Sequence, residues 1–145
     1  NVISFYYGQS TSLTTFLSSS PFRTNGTYTL FQLASKTFTT PSFSGTKPYA
    51  FFASGNPVGI VGGDEESIAV LEVKNSSGTV LINTGFVRTG IQSLSPHVLG
   101  TTTNLSGSTS HTVSLYVGIK NFDANTGTNT LGFGSGYVQA IGLAV

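Results

Sequence analysis

Cysteine, methionine and tryptophan are absent from this chain of 145 residues. Without thiols there is no disulfide scaffold and no thiolate metal site, although that alone does not fix the compartment. Charge is nearly as scarce: Asp, Glu, Lys and Arg make up 8% of the residues, against roughly 25% in an average globular domain. The six basic residues, Arg23, Lys36, Lys47, Lys74, Arg88 and Lys120, are scattered, and the net charge is +1. No patch suited to neutralising phosphates results, so nucleic acid is not an expected partner. No apolar run reaches the roughly 20 residues of a membrane span. Helix is missing as well, since its best candidate, residues 10–20, is crowded with Ser and Thr, which favour other conformations. The chain begins at Asn1 and holds no methionine, which reads as a processed protein or a domain cut from something longer.

What is present points to sheets. Hydrophobic residues make up 38% and aromatic residues 12%, enough for a single domain over residues 1–145 to build a core unaided. Ser, Thr, Gly and Asn supply the polar surface, and so neutral a surface has little repulsion to oppose self-association. The most regular stretch is residues 111–122, HTVSLYVGIKNF, where Val113, Leu115, Val117 and Ile119 alternate with Thr112, Ser114, Tyr116, Gly118 and Lys120. A period of two marks a strand with one face in a core, here expected at the centre of a sheet. SIAVLEVK and TVLINT flank the turn Asn75-Ser76-Ser77-Gly78 and form the clearest hairpin.

Further strands are expected at VISFYY (2–7), TYTLFQL (27–33), YAFFA (49–53), 86–91 and YVQAIGLAV (137–145). The first has both faces covered or pairs with a neighbouring chain. In the last, Tyr137, Ile141, Leu143 and Val145 line one face, and the small Val138, Ala140, Gly142 and Ala144 the other. Pro41 breaks or edges residues 36–43. Residues 9–23 and 93–107 read as mostly loop or turn, 56–63 as a Gly-rich segment, and 131–136 as a bulge or close backbone packing. Eight to ten short strands separated by turns argue for an all-β antiparallel sandwich, a jelly roll.

Three pieces occur in a familiar order: IAVLEVKNSSGTVLINTG, then SGSTSHTVSLYVGI, then GFGSGYVQAIGL. Over residues 68–145 the chain resembles the tumour-necrosis-factor/C1q-like jelly rolls, in which a (G)-x-H-T-V-x-L-x-V strand precedes a closing strand at the C-terminus. Phe38, Thr39, Pro41, Gly45, Tyr49 and Phe51 match the family's F-T-x-P-x-x-G-x-Y-x-F-x segment, with one extra residue between Pro41 and Gly45 and two between Gly45 and Tyr49. That module recurs in phage tail-fibre tips, viral spikes and bacterial surface proteins. The resemblance implies a homotrimer with Phe51, Tyr116, Tyr137 and Gln139 as candidates for the threefold axis. The same residues suit a monomer core equally well.

Catalytic groups are few. Of the five carboxylates, Asp64, Glu65 and Glu66 are consecutive and cannot all face one pocket. An acid/base pair would need Glu72 or Asp123 brought to them, and a solvated loop is the simpler reading. His97 and His111 lack metal-ligand spacing and sit in no nucleophile motif. The Asp123–Asn129 loop begins like a calcium loop but has Gly134 where the closing glutamate belongs. No catalytic residue, metal or cofactor is therefore expected. Asn25, Asn75 and Asn104 head glycosylation acceptor triplets. Tyr6, Tyr7, Tyr28 and Tyr116 are available to stack on a sugar. The expected role is a non-enzymatic extracellular or virion-surface domain, the trimeric head of a fibre or spike that attaches to a host glycan or protein. The alternative is a filament or coat subunit joined by its N-terminal strand.

Overall fold

The computed structural model describes residues 2–10, 14–17, 23–25, 28–61, 66–89, 97–120 and 130–144. They hold ten strands: β1 (Val2–Ser10), β2 (Thr14–Leu17), β3 (Arg23–Asn25), β4 (Tyr28–Thr39), β5 (Thr46–Val61), β6 (Glu66–Asn75), β7 (Val80–Thr89), β8 (His97–Ser106), β9 (Ser110–Lys120) and β10 (Thr130–Leu143). Sheet I runs β1-β10-β5-β8, with β2 also on β10, and sheet II runs β3-β4-β9-β6-β7. Every pairing is antiparallel. With β2 and β3 set aside, the first strand pairs with the last, β4 with β9, β5 with β8, and β6 with β7. That is one long hairpin rolled up, the connectivity of a jelly roll. This order is common to jelly rolls at large and does not single out the tumour-necrosis-factor/C1q-like branch.

The expected hairpin is the apex of the roll. Asn75 accepts at its carbonyl from Gly78 N (3.0 Å) and donates its own N–H to Thr79 O (3.0 Å). Its Oδ1 accepts from the backbone N–H of Ser77 (3.0 Å) and Thr79 (2.9 Å). Gly78 sits at φ 82°, a left-handed conformation that suits glycine. The stretch at residues 111–122 is β9, the middle strand of sheet II. Val113, Leu115 and Val117 point inward and are buried.

Between the sheets these residues meet Ala69, Leu71 and Val73 of β6, Leu33 and Phe38 of β4, and Tyr49, Phe51 and Ala53 of β5. Phe38 is the hub of the rings: Tyr6 stacks on it at 4.7 Å, and Tyr49 and Phe51 lie at 6.1 and 6.3 Å. The split expected for the last strand holds over residues 137–143: Val138, Ala140 and Gly142 are buried against these rings, while Tyr137, Ile141 and Leu143 are partly exposed; Ala144 is exposed past the end of the strand, and Val145 lies outside the described residues.

Several boundaries differ from the sequence reading. β4 runs on through Lys36 to Thr39, ending before Pro41, and β7 runs through Gly85. β5 continues past Gly55 to Val61, in the stretch read as a Gly-rich segment. β8 occupies much of the stretch read as turns, and β1 and β2 part of that read as loop. β1 has one covered face only, since Phe5 and Tyr7 are exposed. The bulge expected at residues 131–136 is present, as register shifts around Phe133. Asp64, Glu65 and Asp123–Asn129 lie outside the described residues.

Candidate functional site

Two places gather side chains that could meet a partner. The first is the outer face of sheet I. Alternation turns Ser4, Tyr6 and Gly8 of β1 inward and Phe5 and Tyr7 outward, and the register sets Phe5 against Ile141, Tyr7 against Gln139, and Gln139 against Phe52. Phe5, Tyr7 and Phe52 are 55%, 40% and 39% exposed. The rings of Phe5, Tyr7 and Tyr137 form a row, Phe5 to Tyr7 at 6.5 Å and Tyr7 to Tyr137 at 5.9 Å. Ala50 and Ile141 sit beside them, and no charged residue interrupts the patch. Gly100 of β8 leaves room for Phe52: a β-carbon there would lie 3.3 Å from its ring.

Of the four residues named for the trimer axis, Tyr137 and Gln139 lie on this face. Phe51 does not; it is fully buried in the core between the sheets, because it is the neighbour of Phe52 and adjacent strand residues point to opposite faces. Tyr116 belongs to the other sheet, packed with Leu30 and Val70 on the outer face of sheet II. Adjacent on that face, the buried Glu72 carboxylate lies 3.4 Å from Lys74 Nζ. The four residues therefore do not converge on one surface. Phe5, Tyr7 and Phe52 were not singled out for it, although alternation within VISFYY and YAFFA carried the signal.

The second place is a cleft of about 330 Å³ at one end of the sandwich, where the edge strands β7 and β8 approach each other. Its walls are Asn75 and Ser76 of the apex turn, Leu81 of β7, residues 104–106 at the end of β8, and residues 109–111 entering β9. Hydroxyls brace it. Thr40 Oγ1 and Thr109 Oγ1 each donate to Ser106 O at 2.7 Å, and Thr109 N–H donates to Thr40 Oγ1 at 2.9 Å. With its proton committed to Ser106 O, Thr109 Oγ1 accepts from His111 Nε2, 2.9 Å away. The contact is made by a ring protonated on Nε2, and Nδ1 is buried without a hydrogen-bond partner. Burial pushes the His111 pKa below that of an ordinary imidazole, and the nearby Lys74 backbone opposes part of that shift without closing a bond to Nδ1.

Among the acceptor asparagines, Asn75 and Asn104 both line this cleft, and Asn25 pairs its backbone with Tyr28 in β3. Of the tyrosines offered for sugar stacking, Tyr7 is on the sheet I face. Tyr6 is turned inward, with its hydroxyl donating to Thr39 O at 2.6 Å. Among the described residues, no group of three or more His, Cys, Asp or Glu is placed to hold a metal ion, and no helix is long and apolar enough to cross a membrane.

Strand order and inward packing define a jelly-roll sandwich. No family model and no curated protein matches the chain. Among solved structures, a chain of infectious bursal disease virus, Gt strain, superimposes on 96% of this chain over 33% of its own length, with a TM-score of 0.54 at 10% identity. A chain of the Gx strain of that virus covers 98% of this chain over 32% of its own, at 0.50 and 7% identity. The CBM36-1 domain of a multidomain xylanase from the hindgut metagenome of Trinervitermes trinervoides is a looser likeness, at 0.42 and 15% identity, covering 98% of this chain and 100% of that one. The present chain thus spans about a third of the virus chains it resembles, and at such identities the likeness concerns the fold.

Proposed function

We propose that this chain is a non-enzymatic jelly-roll domain of a virion or other extracellular surface, assembled as a homotrimer and attaching to a host-surface glycan or protein. The observation that carries the reading is the uncharged aromatic face of sheet I, formed by Phe5, Tyr7, Phe52 and Tyr137. An exposed patch of rings free of charge on a folded domain marks a contact surface, and this one can face a copy of itself without repulsion. Likeness in fold to chains of infectious bursal disease virus supports a virion setting. The tumour-necrosis-factor/C1q-like resemblance supplies the threefold arrangement, with Tyr137 and Gln139 kept from the expected axis and Phe52 taking the place of Phe51. The filament alternative is less well supported, because β1 is already hydrogen-bonded to β10 of its own chain. The non-enzymatic part rests on the small number of carboxylates, five in the whole chain.

Light scattering after size exclusion tests the assembly. The expected mass is three times 15.1 kDa, and Phe52→Asp or Tyr137→Asp should return it to that of one chain. A wild-type chain that stays monomeric at high concentration removes the proposal.

A further inference from the structure

We infer that the cleft between the apex turn and the β8–β9 turn is a subsite for a neutral saccharide. The inference rests on the reading of the chain as an attachment domain and names the ligand class and the place. A sugar ring presents an apolar C–H face and a rim of hydroxyls. Leu81, 42% exposed, supplies apolar surface, with the nearly fully buried Leu105 in the wall beside it. Asn75, Asn104, Ser76 and Ser110 supply amide and hydroxyl groups around it. No Asp, Glu, Lys or Arg lines the cleft, so a carboxylated or sulfated sugar finds no counter-charge, while a neutral one meets amide and hydroxyl groups able to donate and accept.

Size agrees: about 330 Å³ lies at the small end of the roughly 300–1,000 Å³ of small-molecule sites. The walls are also set in advance. Two backbone amides hold Asn75 Oδ1, and Thr40, Ser106, Thr109 and His111 form one hydrogen-bonded chain. Little ordering cost then opposes a weakly binding ligand.

The test is titration of the intact chain with lactose, methyl α-glucoside, N-acetylglucosamine and sialyllactose, followed by backbone amide NMR. At least one neutral sugar should saturate, with shifts confined to residues 75–81 and 104–111, and sialyllactose should bind no more tightly than lactose. Asn104→Ala and Leu81→Glu alter exposed side chains, so both variants should fold. Each should weaken binding about tenfold, a loss of roughly 1.4 kcal/mol, while Gln32→Ala, exposed on β4 and outside the cleft, leaves it unchanged. Any of four results overturns the assignment: no neutral sugar binding, shifts that map elsewhere, affinity that survives both cleft variants, or a preference for the sialylated sugar. The molar mass of the free chain separates this from the assembly reading. A trimer whose cleft binds nothing ends the inference alone; a monomer that binds neutral sugar here ends the trimer alone.

Discussion

Tyr49 is fully buried, and its hydroxyl lies 2.8 Å from Ser4 Oγ, two strands away. It gets there by passing over Gly142 on the strand between; a β-carbon at Gly142 would lie 2.6 Å from Ser4 Oγ and 2.7 Å from the Tyr49 ring. Ser4→Ala leaves a buried phenol without its partner, at a cost of about 1–3 kcal/mol, and Gly142→Ala overpacks the same spot at a similar cost. Because both changes disturb one contact, urea unfolding of the double variant should show less than the sum of the two losses; strictly additive losses would mean that Gly142 does not hold the Ser4–Tyr49 contact in place.

His111 gives the pH dependence. Its pKa is lowered from 6.5 by burial, so below that value the unfolded chain takes up the proton more readily than the folded one. Its contribution to stability is complete above about pH 6.5 and falls away as the pH drops from there toward the lowered folded-state pKa. His111→Gln should flatten the urea midpoint across that window, and an unchanged slope would move the effect to another group. Which rings line the outer face of sheet I was less legible, because Phe51 and Phe52 are adjacent and only the register tells which points inward; a shift by one residue exchanges them.

β1 closes the roll at one edge. Ser4 and Tyr6 tie it to Tyr49, Thr39 and Phe38, and its backbone covers the edge of β10 from Gly136 to Leu143. Deleting residues 2–10 bares that edge for pairing with other chains. The truncated chain should lose its cooperative melt and aggregate, and the peptide VISFYYGQS added in trans should restore part of both; a truncated chain that melts as before would show that β1 is an accessory. The apex hairpin and β9 were legible because alternation and turn residues agree there. β8 was not: in HVLGTTTNLS only Leu99 and Leu105 are apolar on the inner face, with Thr101 and Thr103 between them. Its strand form comes from ten register pairs with β5 rather than from local propensity. The same holds for β5 beyond Gly55, which stays extended because β10 pairs along it to Val61.

At the scale of the whole molecule the two outer faces differ in kind. Sheet I presents rings and no charge, whereas sheet II carries the Glu72–Lys74 pair and hydroxyl pairs such as Thr37–Thr112 at 2.9 Å. An assembly built on sheet I is driven by apolar burial, which salt does not screen and which weakens on cooling. An assembly built on sheet II would involve these charged groups and respond to salt. The trimer fraction should therefore stay constant from low to high sodium chloride and fall as the temperature is lowered. Thr37→Asp, exposed on sheet II, should leave it intact, and Phe52→Asp should abolish it. A trimer that salt dissociates, or that survives Phe52→Asp and is lost in Thr37→Asp, places the contact on the opposite sheet.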